Sequence, residues 1–361
     1  MRIPSSRQIL ILLPFLFSAG CATPGPRVDR EELRAAHEFY EVKARRHIYG
    51  QVTRVRAVGS RLLSSLPEEL CPKNKKPDIG LLLDDLSLIS VRVFGIPGME
   101  PNPLSRNPKE KNPWKSKKGC LIVGILPGEA AEKAGLQPGD ILLRVGKREV
   151  SSSSEAALFL GSLKPQQRIL LLLERERAVF ERELTVGAKP YPVHFELADS
   201  ETVNAFAGPG QITATTGLLR FVASDDELAV VISHELAHLT RGHYAKRLGT
   251  DTLAGVVGSV TGMAIDIVAP GVGNVIGRIT SAGVRAPFSQ DFEREADYVG
   301  LKYAYAAGYK IEAGLSFWDR FATELPESLS KSLFNTHPAS PERLLRLKKT
   351  IEEIKRGARL N

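Results

Sequence analysis

The stretch that decides the fold runs Asp225-Asp226-Glu227-Leu228-Ala229-Val230-Val231-Ile232-Ser233-His234-Glu235-Leu236-Ala237-His238. It reads as a helix. Residues four apart on a helix share a face, so His234 and His238 point both imidazoles at one ion. Glu235 lies one step round, close enough to hold a water there. Two neutral nitrogen ligands, an open coordination position and a carboxylate base are what a zinc hydrolase needs.

A catalytic zinc usually takes a third protein ligand. One layout places a histidine six residues after the second, with a glycine between. Here the sixth residue is Tyr244 and the third is Arg241, so that layout fails. His243 lies nine residues past His234 and, on a continuing helix, faces the opposite side; it reads as a surface or capping histidine. The other layout draws a glutamate from a later helix. In Phe292-Glu293-Arg294-Glu295-Ala296-Asp297-Tyr298-Val299-Gly300, Glu293 and Asp297 are again four apart. One of them binds metal while the other hydrogen-bonds a ligand histidine, and alanine and glycine allow close packing. Glu295 points elsewhere and reads as solvated.

Asn204-Ala205-Phe206-Ala207, the run Asp226–Ala229 leading into His234-Glu235-Leu236-Ala237-His238, and Glu293-Arg294-Glu295-Ala296-Asp297 resemble the HtpX/BepA/Oma-type gluzincin zinc metallopeptidases, a family related to the CAAX prenyl proteases. Thr336-His337-Pro338 followed by Pro341-Glu342-Arg343 matches as well. The resemblance covers about residues 28–70 and 189–355. It implies one Zn²⁺ held by His234, His238 and Glu293, with Glu235 as general base and Asp297 supporting a ligand. It also implies that the strand Asn204-Ala205-Phe206-Ala207 borders the cleft and pairs with substrate. His337 matches the family's late histidine: it either lines the cleft as a catalytic group, polarising the scissile carbonyl or touching the metal, or caps a helix. Gln290 departs from the pattern, standing where many relatives carry arginine.

The first residues form a targeting segment. Arg2 and Arg7 precede an apolar run, Ile9 to Phe17, too short to span a bilayer. Ser18-Ala19-Gly20-Cys21 reads as a lipoprotein signal, with residues 1–20 removed and Cys21 acylated. Two acyl chains or more would anchor the chain firmly. Ala22 resembles the sorting signal for an outer membrane. The chain carries +8, and loss of Arg2 and Arg7 lowers this to +6. The basic runs at Lys73–Lys76 and Lys109–Lys118 read as solvated loops. Without interleaved aromatics or a nucleic-acid motif, a nucleic-acid partner is excluded. Cys71 and Cys120 remain, and an oxidising compartment permits a disulfide between them.

The domain reading follows: signal peptide 1–20, an N-terminal helical part of the protease at 29–70, a PDZ-like domain at 72–187, and the zinc metalloprotease domain at 189–358. Gly119 to Leu142 resembles a bacterial PDZ domain. A strand ends at Pro127-Gly128, one helical turn runs to Gly135, and Pro138-Gly139-Asp140 turns into the next strand. Such domains add an extended peptide to a sheet edge, with its terminal carboxylate on backbone N–H groups; Ile79-Gly80-Leu81 marks that loop. His194 falls in a strand and reads as no ligand. Thr252–Gly283 is apolar, but Asp266 and Pro270-Gly271 break it, which predicts a helical hairpin beside the site rather than a membrane span.

The fold class is α+β: a mainly helical zincin-type domain with a small sheet, plus a β-rich PDZ-like domain inserted after the first helix. The function read from this is a zinc endopeptidase on the periplasmic face of a bacterial envelope, lipid-anchored in the outer membrane. Its substrates are unfolded or misassembled envelope proteins, and the PDZ domain recruits peptides or chain ends, or regulates. The alternative is a lipid-anchored peptide-binding or chaperone-like module with little proteolysis. A prenyl-protein protease lacks the several membrane spans expected of it.

Overall fold

The computed structural model describes residues 26, 28–96, 117–208, 210–247, 276–277, 288–324 and 340–357. The signal segment, Cys21, His337, nearly all of 252–283 and most of the 98–118 loop lie outside the described residues. The chain divides into two compact units, Met1–Tyr40 and Glu41–Asn361. The first is described from residue 28 as the opening of helix α1 (Arg30–Ser64). Asp29 Oδ1 accepts from the N–H groups of Glu31 and Glu32, both at 2.8 Å, satisfying two of the unpaired donors of a helix start. Leu33 and Phe39, apolar in the pattern, are exposed.

In the second unit α1 buries Tyr49, Val52, Val55, Val58, Gly59, Leu62 and Leu63, a stripe at helical spacing. Beyond it come β1 (Lys76–Asp78), β2 (Leu81–Asp85), α2 (Leu88–Phe94), β3 (Cys120–Ile125) and α3 (Ala130–Lys133). Next are β4 (Ile141–Val145), β5 (Arg148–Glu149), α4 (Ser153–Gly161), β6 (Arg168–Arg175), β7 (Ala178–Thr185) and β8 (Gly187–Lys189). The sheet runs β2-β3-β4-β6-β7, with β5 on β4, and β1 pairs with β8.

β3 is apolar on consecutive positions because both of its faces are buried. Cys120 and Ile122 enter a core with Leu83, Leu142, Leu171 and Leu173. Leu121 and Val123 enter the larger core with α1. The period of two along a strand assigns alternate residues to the two cores. Gly124 sits where α1 comes closest: a Cβ there would lie 2.4 Å from Thr53 Oγ1.

The remainder holds β9 (His194–Ala198), β10 (Ala205–Gly208), β11 (Gln211–Thr215) and β12 (Ile276–Gly277), in sheet order β10-β11-β9-β12. β10 pairs antiparallel with β11, and β11 and β12 both pair parallel with β9. The helices are α5 (Thr216–Phe221), α6 (Asp225–Thr240), α7 (His243–Arg247), α8 (Gln290–Ala306), α9 (Ala313–Glu324) and α10 (Pro341–Lys355). Every residue of α6 from Glu227 to Thr240 is buried, so this helix is the centre of the core rather than an amphipathic cover. Its start is fixed: Ser224 Oγ accepts from Glu227 N–H at 3.3 Å, and Glu227 accepts from Ala223 N–H at 2.8 Å. Arg320 of α9 grips the Glu227 carboxylate at 2.7 and 2.8 Å. No described helix is long and apolar enough to cross a membrane.

Candidate metal centre

α8 packs on α6 through Gly300, where a Cβ would lie 2.9 Å from His234 Cα. Ala296, fully buried, sits on the same face. That close approach sets Asp297 and Glu293, one and two turns earlier, against the two histidines. His234 and His238 turn their Nε2 atoms to within 3.1 Å of each other. Glu293 faces both, with Oε2 at 3.4 Å from His234 Nε2 and Oε1 at 3.4 Å from His238 Nε2. Tetrahedral bonds of about 2.0–2.1 Å hold donor atoms roughly 3.3 Å apart, so the three donors have the spacing of a four-coordinate ion. They form the single His/Cys/Asp/Glu group of this geometry among the described residues.

Each imidazole is held from behind. His234 Nδ1 lies 2.9 Å from Asp297 Oδ1. Arg343 of α10 closes on Asp297 with two bonds, 2.9 Å from Nε and 2.7 Å from Nη2, and lies over the Trp318 ring at 3.6 Å. His238 Nδ1 lies 2.9 Å from His243 Nδ1, and His243 Nε2 lies 3.0 Å from Glu295 Oε2. Arg241 Nε donates to Glu295 Oε1 at 2.6 Å. One proton arrangement satisfies the whole series. With Nε2 of His238 free for a metal, its Nδ1–H donates to His243 Nδ1, and His243 Nε2–H donates to the Glu295 carboxylate. Phe288 stacks on His238 at 4.1 Å and Phe292 on His243 at 4.4 Å, fixing both ring planes.

The charge state of His238 agrees with a ligand site. Burial pushes the His238 imidazole down to about 4, against the pull of Glu293, so it stays neutral as a ligand must. Burial also lowers His243, opposed by Glu295. At His234 burial acts downward, but the bonds to Asp297 and Glu293 outweigh it and the net direction is up. Burial alone would raise Asp297; Arg343 and His234 draw it below the usual carboxylate value instead.

Glu235, buried, faces the edge strand β10: its Oε2 accepts from Ala207 N–H at 2.9 Å. The Ala207 carbonyl accepts from Tyr244 Oη. β10 ends its sheet, so the groups of Ala207 turned away from β11 meet the general-base candidate directly.

Peptidase family M48 matches residues 173–351, and the PDZ domain family matches residues 98–174. Residues 173–351 are a peptidase family M48 domain. Mitochondrial metalloendopeptidase OMA1 of Danio rerio is 32% identical over 200 residues, covering 52% of this chain and 40% of the relative. The beta-barrel assembly-enhancing protease of Yersinia pestis is 30% identical over 176 residues, 45% of this chain and 35% of the relative. The chain thus spans half or less of the length of the curated relatives it matches. Among solved structures, the HtrA-type protease AlgW with decapeptide is 19% identical with a TM-score of 0.26, covering 33% of this chain and 31% of that one.

Within this M48 domain the structure brings His234, His238, Glu293, Glu235 and Asp297 together and sets Ala207 beside them. Asn204 and Ala205 lie on the same strand approach, where the Asn204 carbonyl accepts from Thr215 N–H at 3.1 Å, and Phe206 is half-buried. Three readings are corrected. His243 is fully buried against His238, because α6 stops at Thr240 and Gly242, at φ 67°, turns the chain back. Glu295 is engaged by His243 and Arg241 rather than simply solvated. Cys71 and Cys120 are both free thiols: Cys120 is buried in the β-rich core, whereas Cys71 packs on the larger one. Arg343 and Arg241 carried no assigned role. The glycine at 242 is the signal that a helix ends there.

Proposed function

We propose that this chain is a zinc-dependent endopeptidase of a bacterial cell envelope, one Zn²⁺ per chain. The observation that carries the reading is the His234, His238 and Glu293 donor set with Glu235 beside the edge of β10. A bound zinc supplies Lewis acidity for the scissile carbonyl and acidity for water. Glu235 takes a proton from the attacking water and returns it to the leaving amine. The strand Asn204-Ala205-Phe206-Ala207 borders the cleft and meets an extended substrate along its outer edge at Ala205, since Glu235 and Tyr244 hold the groups of Ala207 and Thr215 those of Asn204.

The signal-like sequence of residues 1–20 and the cysteine that follows support a chain cleaved before Cys21, acylated there, and held on the periplasmic face of the outer membrane. Unfolded or misassembled envelope proteins are the substrates, which accords with relatives named beta-barrel assembly-enhancing proteases. The PDZ-like domain at 72–187, inserted between the 29–70 helix and the protease domain at 189–358, recruits or restrains them. The alternative, a lipid-anchored peptide-binding or chaperone-like module with little or no proteolysis, draws on the PDZ-like domain. It leaves Glu235 without a task, because a structural metal site needs no base. Digestion of unfolded casein separates the two. The expected result is cleavage that stops with chelator and returns with zinc; cleavage indifferent to chelator, or none by the zinc-loaded chain, overturns the proposal.

A further inference from the structure

Tyr244 stands beside the metal centre without belonging to the donor set. It occupies the sixth position after His238, where the excluded layout would have a third histidine ligand. The turn at Gly242 starts α7, and the first two residues of that helix part company. His243 goes back to His238, and Tyr244 crosses to the strand β10. The Tyr244 ring stands edge-on to Phe288, with centroids 4.9 Å apart, and Phe288 itself stacks on His238 at 4.1 Å. The phenol is therefore aimed by the same aromatic packing that fixes a ligand ring.

Ala207 is held on both of its outward groups. Its N–H donates to Glu235 Oε2 at 2.9 Å, and its carbonyl accepts from the Tyr244 hydroxyl. β10 needs such holding, because it ends its sheet and pairs only with β11 among the described residues. At Asn204 the Thr215 hydroxyl and N–H fix one end of the strand. The other end runs into a turn with Gly208 and Gly210, the latter at φ 73°, where glycine gives the backbone least restraint of its own. Tyr244 supplies the restraint there from α7. Ala207 and Glu235 are 6% and 1% exposed, so water does not readily replace a bond lost between these groups.

We propose that Tyr244 is a positioning residue for the general base: its hydroxyl holds Ala207 of β10 so that the Ala207 N–H fixes the Glu235 carboxylate beside the metal position. The inference rests on the peptidase reading and adds the residue that sets its base. A carboxylate takes a proton from water only with an oxygen in hydrogen-bond reach, and misplacement by about 1 Å can cost roughly 10²-fold. Removing the hydroxyl frees an acceptor on β10 and deletes no substrate contact. The effect therefore belongs in kcat and not in KM.

Tyr244→Phe removes the hydroxyl and keeps the ring on Phe288. With the full zinc-loaded chain and fluorescein-labelled casein, kcat should fall about tenfold, the scale of leaving one buried acceptor unpaired, with KM and zinc content unchanged. In a Glu235→Gln background the same substitution should leave the residual rate where it is, because the group it acts through is gone. Amide exchange at residue 207, resolved by fragmentation mass spectrometry, should quicken roughly three- to tenfold in zinc-loaded and metal-free chains alike. An unchanged kcat, an equal fall in both backgrounds, a rise in KM alone, or a loss of zinc overturns the positioning role. Unaltered exchange at Ala207 overturns it too, and leaves the peptidase reading standing. A wild-type chain that leaves casein intact removes the peptidase reading and the role together.

Discussion

The two histidines facing the metal position are backed by different means. His234 leans on a carboxylate directly, Asp297, which Arg343 clamps with two bonds. His238 leans on a second imidazole, His243, and reaches its carboxylate, Glu295, one ring further out, where Arg241 clamps it. Both arrangements end in an arginine–carboxylate pair that fixes a ring and its tautomer. They differ in distance and in charge. The Asp297 side chain is 12% exposed beside its histidine, whereas that of Glu295 is 30% exposed and acts through a neutral ring. A direct negative charge raises ligand basicity more than a relayed one, so the two sides should not contribute equally to holding the metal.

Glu235 lies between the two sides and belongs to neither, so it separates chemistry from metal retention. Glu235→Gln should lower turnover by about 10²–10⁴-fold, the usual weight of a general base. Its metal content by atomic absorption should match the wild type; a variant that loses metal, or keeps cleaving in a clean preparation, breaks the assignment. The next largest effects compare the two backings themselves. Asp297→Asn should weaken zinc binding by roughly 10–100-fold, and His243→Gln by about tenfold, at the low end of the range for outer partners. Chelator competition measures both, with the thermal midpoint of the metal-free chains as the control for folding. Equal losses would mean that the relay transmits the full influence of Glu295, and no loss at His243 would reduce it to a packing residue. The smallest effect belongs to the turn that makes the relay. Gly242→Ala forces a Cβ into the left-handed region at φ 67° and should cost about 1 kcal/mol in denaturant unfolding, with a parallel loss of zinc affinity.

The difference between the sides is also a difference in legibility. His234, His238, Glu293 and Asp297 each come as a pair four residues apart on one helix, and helical periodicity places such pairs without knowledge of the tertiary fold. Resemblance supplied the remaining step, which carboxylate binds and which supports. His243 and Glu295 obey no such spacing. Extending α6 through Gly242 sends His243 to the wrong face; ending it at Thr240 returns His243 to the site. The β-rich region shows the same limit. Its turns at Pro127-Gly128 and Pro138-Gly139-Asp140 are readable, because glycine and proline have local conformational reasons to be there. That β3 is buried on both faces, and that Arg56 and Lys189 meet at the loop of Gly80, depend on how α1 lies across the sheet.

By itself the sequence determined the α+β class, the helix that presents two imidazoles and a base, and the later helix that supplies two carboxylates. These follow from local periodicity, which acts over four residues. Only the tertiary structure decided which groups stand behind each ligand, that Cys71 and Cys120 lie apart in separate cores, and that the half-buried cations Arg56 and Lys189 line one pocket beside Gly80. Those facts come from contacts between segments far apart in the chain, which close packing selects and residue spacing does not encode.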